Sequence, residues 1–165
     1  MDQGLNQISS KQKGIISEHR IAEIVTLGST GALTCYTPNS DDDGIDLIVN
    51  PKGQIKPLFI QIKGRFKLQT TGQFIQNVGI NTFVAHPSFY LVFAYYNLEL
   101  VDVQHLWLIP SLEFADIAYE KPAGETYKSF YRFSANPLST KDRWSRYSIP
   151  KKELGHKLLE IIETL

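Results

Sequence analysis

Cysteine is nearly absent from this sequence: Cys35 stands alone among 165 residues. One thiol excludes a disulfide framework and any multi-cysteine zinc site, and fits a reducing compartment. Long apolar runs are missing too, since none approaches the roughly 20 residues that a spanning helix needs. The opening Met-Asp-Gln-Gly-Leu-Asn-Gln lacks the basic-then-apolar order of a signal peptide. There is no Gly-rich phosphate loop, no dinucleotide fingerprint and no HExxH pair. The four histidines (His19, His86, His105, His156) are scattered without metal-ligand spacing. An excess of either charge is also lacking, because 17 Lys and Arg balance 17 Asp and Glu. Taken whole, that balance argues against a nucleic-acid partner. These absences lead to the expectation of a soluble, cytoplasmic protein with no membrane partner, folded as a single domain over 1–165.

What is present sharpens that expectation. Hydrophobic residues make up 42% and charged residues 21%, an ordinary composition that can fill a real core. The charges are segregated along the chain. Residues 1–46 hold three basic and seven acidic groups, and residues 47–98 hold five basic groups and no acid. Residues 99–125 then hold one basic and six acidic groups, and residues 126–165 hold eight and four. Blocks of −4, +5, −5 and +4 can build a local field that the net charge conceals.

Periodicity places the elements. Ser9 and Ser10 are candidate N-caps for a helix reaching about Leu27, ended by Gly28, with Ile15, Ile21, Ala22 and Val25 on one face. Glu18 falls in the middle of that face. Short strands are expected at 32–37, 45–49 and 58–63, with a turn-rich stretch at 38–44 and a hairpin-like turn at 50–53. The Gln-rich segment 68–78 reads as a loop or short helix. Aromatic and apolar strands follow at 88–96 and 105–109. Ser111 is a candidate cap for a short helix through Ala118, and 129–134 alternates as a strand. Leu154, Leu158 and Ile161 mark an amphipathic C-terminal helix. The fold class is therefore α/β, with a central sheet.

Three features converge on chemistry. Glu18 sits on the apolar side of the first helix, where an unpaired carboxylate is costly. Asp46 opens a strand after an acidic turn. Gln61 and Lys63 share one face of the next strand, so a hairpin brings Asp46 beside its end. Oxygen ligands plus a cation are what Mg²⁺-assisted attack on a phosphodiester uses.

In these residues the chain resembles the PD-(D/E)XK nuclease superfamily. The matching features are the helical Glu18, Gly44-Ile45-Asp46 at a strand start, and Gln61-Ile62-Lys63 on the following strand. The resemblance covers roughly residues 10–66. Segments 107–111 and 141–144 are similar to those of uncharacterised bacterial members. The resemblance implies a restriction-endonuclease-like αβββαβ core with a central mixed sheet flanked by helices. It implies a DNA endonuclease that hydrolyses phosphodiesters with Mg²⁺, for which Mn²⁺ substitutes. Asp46 would be the principal metal ligand. Gln61 would ligate through its side-chain oxygen, Ile62 through its backbone carbonyl, and Glu18 directly or through water. Lys63 would act on the attacking water. Arg65 and Lys67 would contact DNA phosphates, and a homodimer would cut both strands, with the apolar strand 88–96 or the C-terminal helix as its candidate surface. The departure is Gln61, where the commonest pattern has Glu or Asp. An amide brings no charge, which leaves a disabled nuclease fold acting as a nucleic-acid or protein binding module as the alternative. A second alternative is an interaction subunit docking through 89–96.

Each residue also has a structural role open to it. Glu18 can pair with a core polar group, and Asp46 can cap backbone amides. Gln61 and Lys63 can be the exposed face of an edge strand. Residues 39–44 mimic half of a calcium loop, but its twelfth position would be Asn50 rather than Glu; Asp43 is a reserve ligand for the Asp46 site. His105 and Cys35 read as packed structural residues. Lys141, Arg143 and Arg146, interleaved with Trp144 and Tyr147, form a second basic and aromatic cluster.

Overall fold

The computed structural model describes residues 7–40 and 42–165; Asp41 of the acidic turn lies outside the described residues. Helix α1 (Ser10–Gly28) starts at a capping box. The Gln12 amide donates to Ser9 Oγ at 3.1 Å, and the Ser9 amide donates to Gln12 Oε1 at 2.9 Å. Two backbone donors that the helix cannot satisfy itself are thereby paired. Strands β1 (Leu33–Tyr36), β2 (Leu47–Pro51) and β3 (Leu58–Arg65) follow as an antiparallel meander. Strand β5 (Phe89–Asn97) lies parallel to β3, and β6 (Asp102–Pro110) returns antiparallel beside it. The sheet order is β1-β2-β3-β5-β6, a mixed sheet.

Alternation decides which face each residue serves. Leu47, Val49, Leu58, Ile60 and Ile62 point toward α1 and α3 (Leu154–Glu163), which cover one face together. Fully burying such a side chain stabilises the fold by about 1.5–3 kcal/mol. The opposite face meets a second sheet made of β4 (Phe74–Gly79), β8 (Phe130–Ala135) and β7 (Tyr119–Lys121), with α2 (Ser111–Ile117) beside it. The filling there is aromatic. Phe93 stacks on Phe133 with ring centroids 3.9 Å apart, and Phe74, Trp107, Phe114 and Trp144 close around them. The central mixed sheet is thus flanked by helices, in the expected class.

Some elements differ from the sequence reading. Residues 68–78 are neither loop nor helix, because β4 occupies their second half. Phe74 and Val78 share one face at either period, so the 4-residue spacing does not separate helix from strand. The connection from β3 to the parallel β5 is therefore made by β4 and one 3₁₀ turn at Ile80–Thr82, where αβββαβ places a helix. The short helix α2 comes after β6 instead.

Strand β7 was not anticipated. Ile15 is exposed rather than part of the buried stripe of α1. Ser111 is no cap: its hydroxyl donates to the His86 carbonyl and accepts from the His86 amide, pinning that loop. Strand β3 is central, so Gln61 and Lys63 do not sit on an edge. Residues Phe89 to Tyr96 are largely interior, with Leu91 to Ala94 fully buried. That rules them out as a docking face and as a dimer surface.

Candidate active site

The register of β2 on β3 builds the site. Leu47 lies opposite Ile60, and the Asp46 amide donates to the Ile60 carbonyl at 2.9 Å. One step further, β2 has no strand residue left to accept from the Ile62 amide. The Asp46 carboxylate takes over: Ile62 N–H donates to Asp46 Oδ2 at 2.7 Å. The side chain replaces a missing rung of the ladder and is oriented by doing so. This is the amide-capping role, and it holds the carboxylate at the sheet's end. Within a strand, one residue's N–H and C=O face the same side. The Ile62 carbonyl therefore faces the edge where Asp46 sits.

Glu18 arrives from α1. Gly64 of β3 carries no Cβ, and one built there would fall 2.2 Å from Ser17 Oγ. The missing atom lets the helix lie directly on the strand. Ser17 is buried, with its hydroxyl donating to the Lys13 carbonyl at 2.9 Å. Glu18, the next residue, then lines a cleft of about 660 Å³ together with Asp46, Ile62 and Lys63. Arg65 and Lys67 line the same cleft. Glu18 and Asp46 also border a smaller cavity of about 180 Å³ under the 37–40 loop.

The cations Lys13, Lys63, Arg65 and Lys67 outnumber the two carboxylates on the cleft wall. Three of the five cations of the acid-free block (Lys63, Arg65 and Lys67) are thus delivered to one place, with Lys13 joining them from α1. Arg65 is aimed by Gln76 of β4, whose Oε1 accepts from Arg65 Nε at 2.7 Å. Sequence reasoning missed Gln76 because the strand that carries it was not recognised. Beside the cleft's Phe66 lies Tyr96, whose ring stacks on it with centroids 4.6 Å apart. Burial is the main cause that pushes the Tyr96 phenol up to about 12, while the Ser17 hydroxyl opposes the shift. Tyr96 is therefore neutral near pH 7.

Gln61 is placed differently from its neighbours. It is 3% exposed, does not line the cleft, and its Oε1 has no hydrogen-bond partner. It lies on the same sheet face as Lys63, two residues further along β3. It lies beneath Gly44, whose φ of +73° only glycine adopts at little cost. A Cβ at Gly44 would be 3.1 Å from Gln61 Nε2 and 2.4 Å from the Thr82 carbonyl. The turn before β2 therefore closes over Gln61. Asp43 is exposed and borders neither cavity.

Among the described residues, no group of three His, Cys, Asp or Glu side chains gathers as a metal site. Two carboxylates and a backbone carbonyl nevertheless suit a hard cation. Mg²⁺ is commonly held by one or two carboxylates, with water and substrate phosphates completing its shell. A buried carbonyl oxygen without a partner costs about 1–3 kcal/mol, and a cation beside Gln61 would supply that partner. The donor set fits the ion.

The remaining sequence candidates resolve as structure. His105 Nε2 lies 2.9 Å from Ser148 Oγ and its ring packs on Trp107. Burial pushes the Cys35 thiol upward, the opposite of nucleophile activation, and Thr26 only partly offsets it. Trp144 and Tyr147 are buried in the aromatic core.

No family model and no curated protein matches the chain. Among solved structures it is similar to a bacterial homing endonuclease, I-Ssp6803I. The TM-score is 0.61 at 20% identity, over 94% of this chain and 95% of that one. The two share a fold.

Proposed function

We propose that the protein is a metal-dependent DNA endonuclease of the PD-(D/E)XK type, with Glu18, Asp46, Gln61 and Lys63 as its working residues. The observation that carries this reading is the convergence of Glu18, Asp46, Ile62 and Lys63 on one cation-rich cleft. The shared fold with a homing endonuclease supports the substrate class. Glu18, Asp46 and the Ile62 carbonyl would hold Mg²⁺ or Mn²⁺, with Gln61 Oε1 behind them. The ion, when bound, would polarise the phosphoryl group and make bound water a stronger nucleophile.

The chain's own groups do the rest. Ile62 N–H fixes Asp46, so one carboxylate oxygen is oriented before substrate arrives. Lys63 offers an ammonium from the cleft wall, where it orients the attacking water and offsets charge that develops on the phosphoryl oxygens. Arg65, aimed by Gln76, and Lys67 receive the flanking phosphates. Cutting both strands of a duplex requires two such clefts, hence a homodimer whose surface is not Phe89–Asn97. A single thiol fits a cytoplasmic setting.

The burial of Gln61 away from the cleft wall is the observation that favours the second reading, a binding module on the same fold. Cleavage of supercoiled, linear and branched DNA separates the two. Native protein should cut with Mg²⁺ or Mn²⁺ and stop in EDTA, while Asp46→Asn and Lys63→Ala should each lose at least about 100-fold in rate. A native protein that binds DNA and cuts no substrate establishes the binding module instead.

A further inference from the structure

The register across the main sheet links the cleft to a second basic site. Arg65 on β3 pairs with Tyr95 on β5, and Tyr95 pairs with His105 on β6. All three lie on the face that carries the second sheet, because Lys63, Phe93 and Trp107 one step earlier do so. Two strand spacings separate Arg65 from His105, about 10 Å. Beyond His105 opens a cavity of about 700 Å³ whose other wall is the loop that follows β8. Lys141, Arg143 and Arg146 line it.

The loop has a built frame. Asp142 also lines the cavity, but its carboxylate serves the loop. It accepts from the Asn136 amide at 3.0 Å, the Trp144 amide at 2.9 Å and Ser145 Oγ at 2.9 Å. Ser139 Oγ accepts from the amides of Lys141 and Asp142, both at 3.1 Å. Trp144 is 2% exposed and anchors the segment in the aromatic core. Anchored this way, the loop presents Lys141 and Arg143 as exposed residues. Arg143 also donates to the Ile117 carbonyl at 3.2 Å. Arg146 is partly engaged by Glu113 at 3.5 Å and by the Tyr147 hydroxyl. The cluster's two aromatics are turned inward, so base stacking is excluded and charge is what the site offers.

The geometry points to a second phosphate-contact site: Lys141 and Arg143 receive the backbone of the same DNA duplex that the cleft engages, on the far side of the Arg65–Tyr95–His105 row. This rests on the endonuclease reading and extends it. From Arg65 to His105, before the cavity is crossed, this row spans about 10 Å, less than a third of a helical turn of about 34–36 Å. A duplex that leaves the cleft along this row runs toward the loop on the far side of the cavity. Contact to phosphate alone adds affinity and salt dependence without base preference.

The test is equilibrium binding of a fluorescent duplex of about 30 base pairs to the full chain in EDTA, across a salt series. The Lys141→Gln/Arg143→Gln protein should bind about tenfold or more weakly near 0.1 M salt. Its slope of log affinity against log salt should be shallower by about 2, near 0.9 per lost phosphate contact. The charge-keeping Lys141→Arg/Arg143→Lys protein should retain the native slope, and matching thermal melts should show all three folded. If the native protein binds no DNA, the endonuclease reading fails and this one with it. If the native protein binds and the Gln variant keeps its slope, only the second site is overturned. Loss of slope in the charge-keeping protein would trace the effect to loop shape, and also overturn it.

Discussion

Replacing Gly64 by alanine tests how α1 is seated at the cleft. The new Cβ would fall 2.2 Å from Ser17 Oγ, 3.1 Å from Ser17 Cβ and 3.4 Å from a Tyr96 ring carbon. Ordinary carbon contacts are about 3.5–4.0 Å, so the first of these is short by more than an ångström. Ser17 cannot turn away cheaply, because it is buried and its hydroxyl is bonded to the Lys13 carbonyl. Overpacking of this kind costs about 1–3 kcal/mol. The loss of backbone freedom in the unfolded chain returns about 0.4–1 kcal/mol where alanine fits the backbone. Sterics should win, for a net loss of about 1–2 kcal/mol. Ser17→Ala removes the nearest atom and leaves the 3.1 Å contact, so the double variant should recover about 1 kcal/mol of that loss. Urea unfolding of the four proteins of the cycle, followed by circular dichroism, reads this coupling. DNA cleavage is the second readout, since moving Glu18 by about 1 Å should cost on the order of 100-fold in rate. If Gly64→Ala is as stable as the parent, or the two changes add within about 0.5 kcal/mol, the close helix–strand contact is not what seats α1.

Two further outcomes follow from the geometry. Gly44→Ala forces alanine into a left-handed backbone and sets its Cβ 2.4 Å from the Thr82 carbonyl. It should cost about 3 kcal/mol, read calorimetrically as a fall in melting temperature of roughly 6–12 °C. Asp102 accepts from Arg20 at 2.9 and 3.1 Å and from Lys151 at 2.6 Å. The Arg20 hydrogen bonds, with Lys151 in support, hold its carboxyl well below the usual carboxylate range despite partial burial. That stabilisation is complete above the unfolded pKa of about 3.9 and is lost as the pH falls from there toward the folded value. Asp102→Asn should lower stability at neutral pH by roughly 2 kcal/mol and flatten the decline below pH 4. Unchanged acid sensitivity in urea titrations would remove the clasp from the account.

The legible parts of this chain are those where local chemistry and tertiary packing agree. Ser9 as a candidate cap announced α1, and alternation announced β3, because cap and strand both depend on residues close in sequence. Asp46 and Lys63 were legible for a related reason: they belong to one hairpin, so their approach needs no distant partner. Gln61 was legible as a residue and not as a position. Its burial depends on Gly44 folding over it, and Gly44 in turn packs against Thr82, which comes from a connection that was not foreseen. Strand β4 was hidden because Phe74 and Val78 satisfy both periods, and the deciding partner, β8, lies far downstream. Ser111 matched a cap by its place in sequence, yet the His86 loop claimed its hydroxyl.

The passage of the chain through β4 bears on when the cleft becomes complete. Arg65 takes its aim from Gln76 on β4, and β4 is paired with β8, as in Asn77 and Arg132, which are 55 residues apart. During synthesis, Glu18, Asp46 and Lys63 emerge early, within one stretch of local pairings. The arm that aims Arg65 has to wait for β8 to arrive, because distant pairing bears the loop-closure cost before it is rewarded. A nascent chain would then carry its candidate catalytic corner before Arg65 is held in place on the cleft wall, and the last third of the sequence would act as the arming step of the molecule.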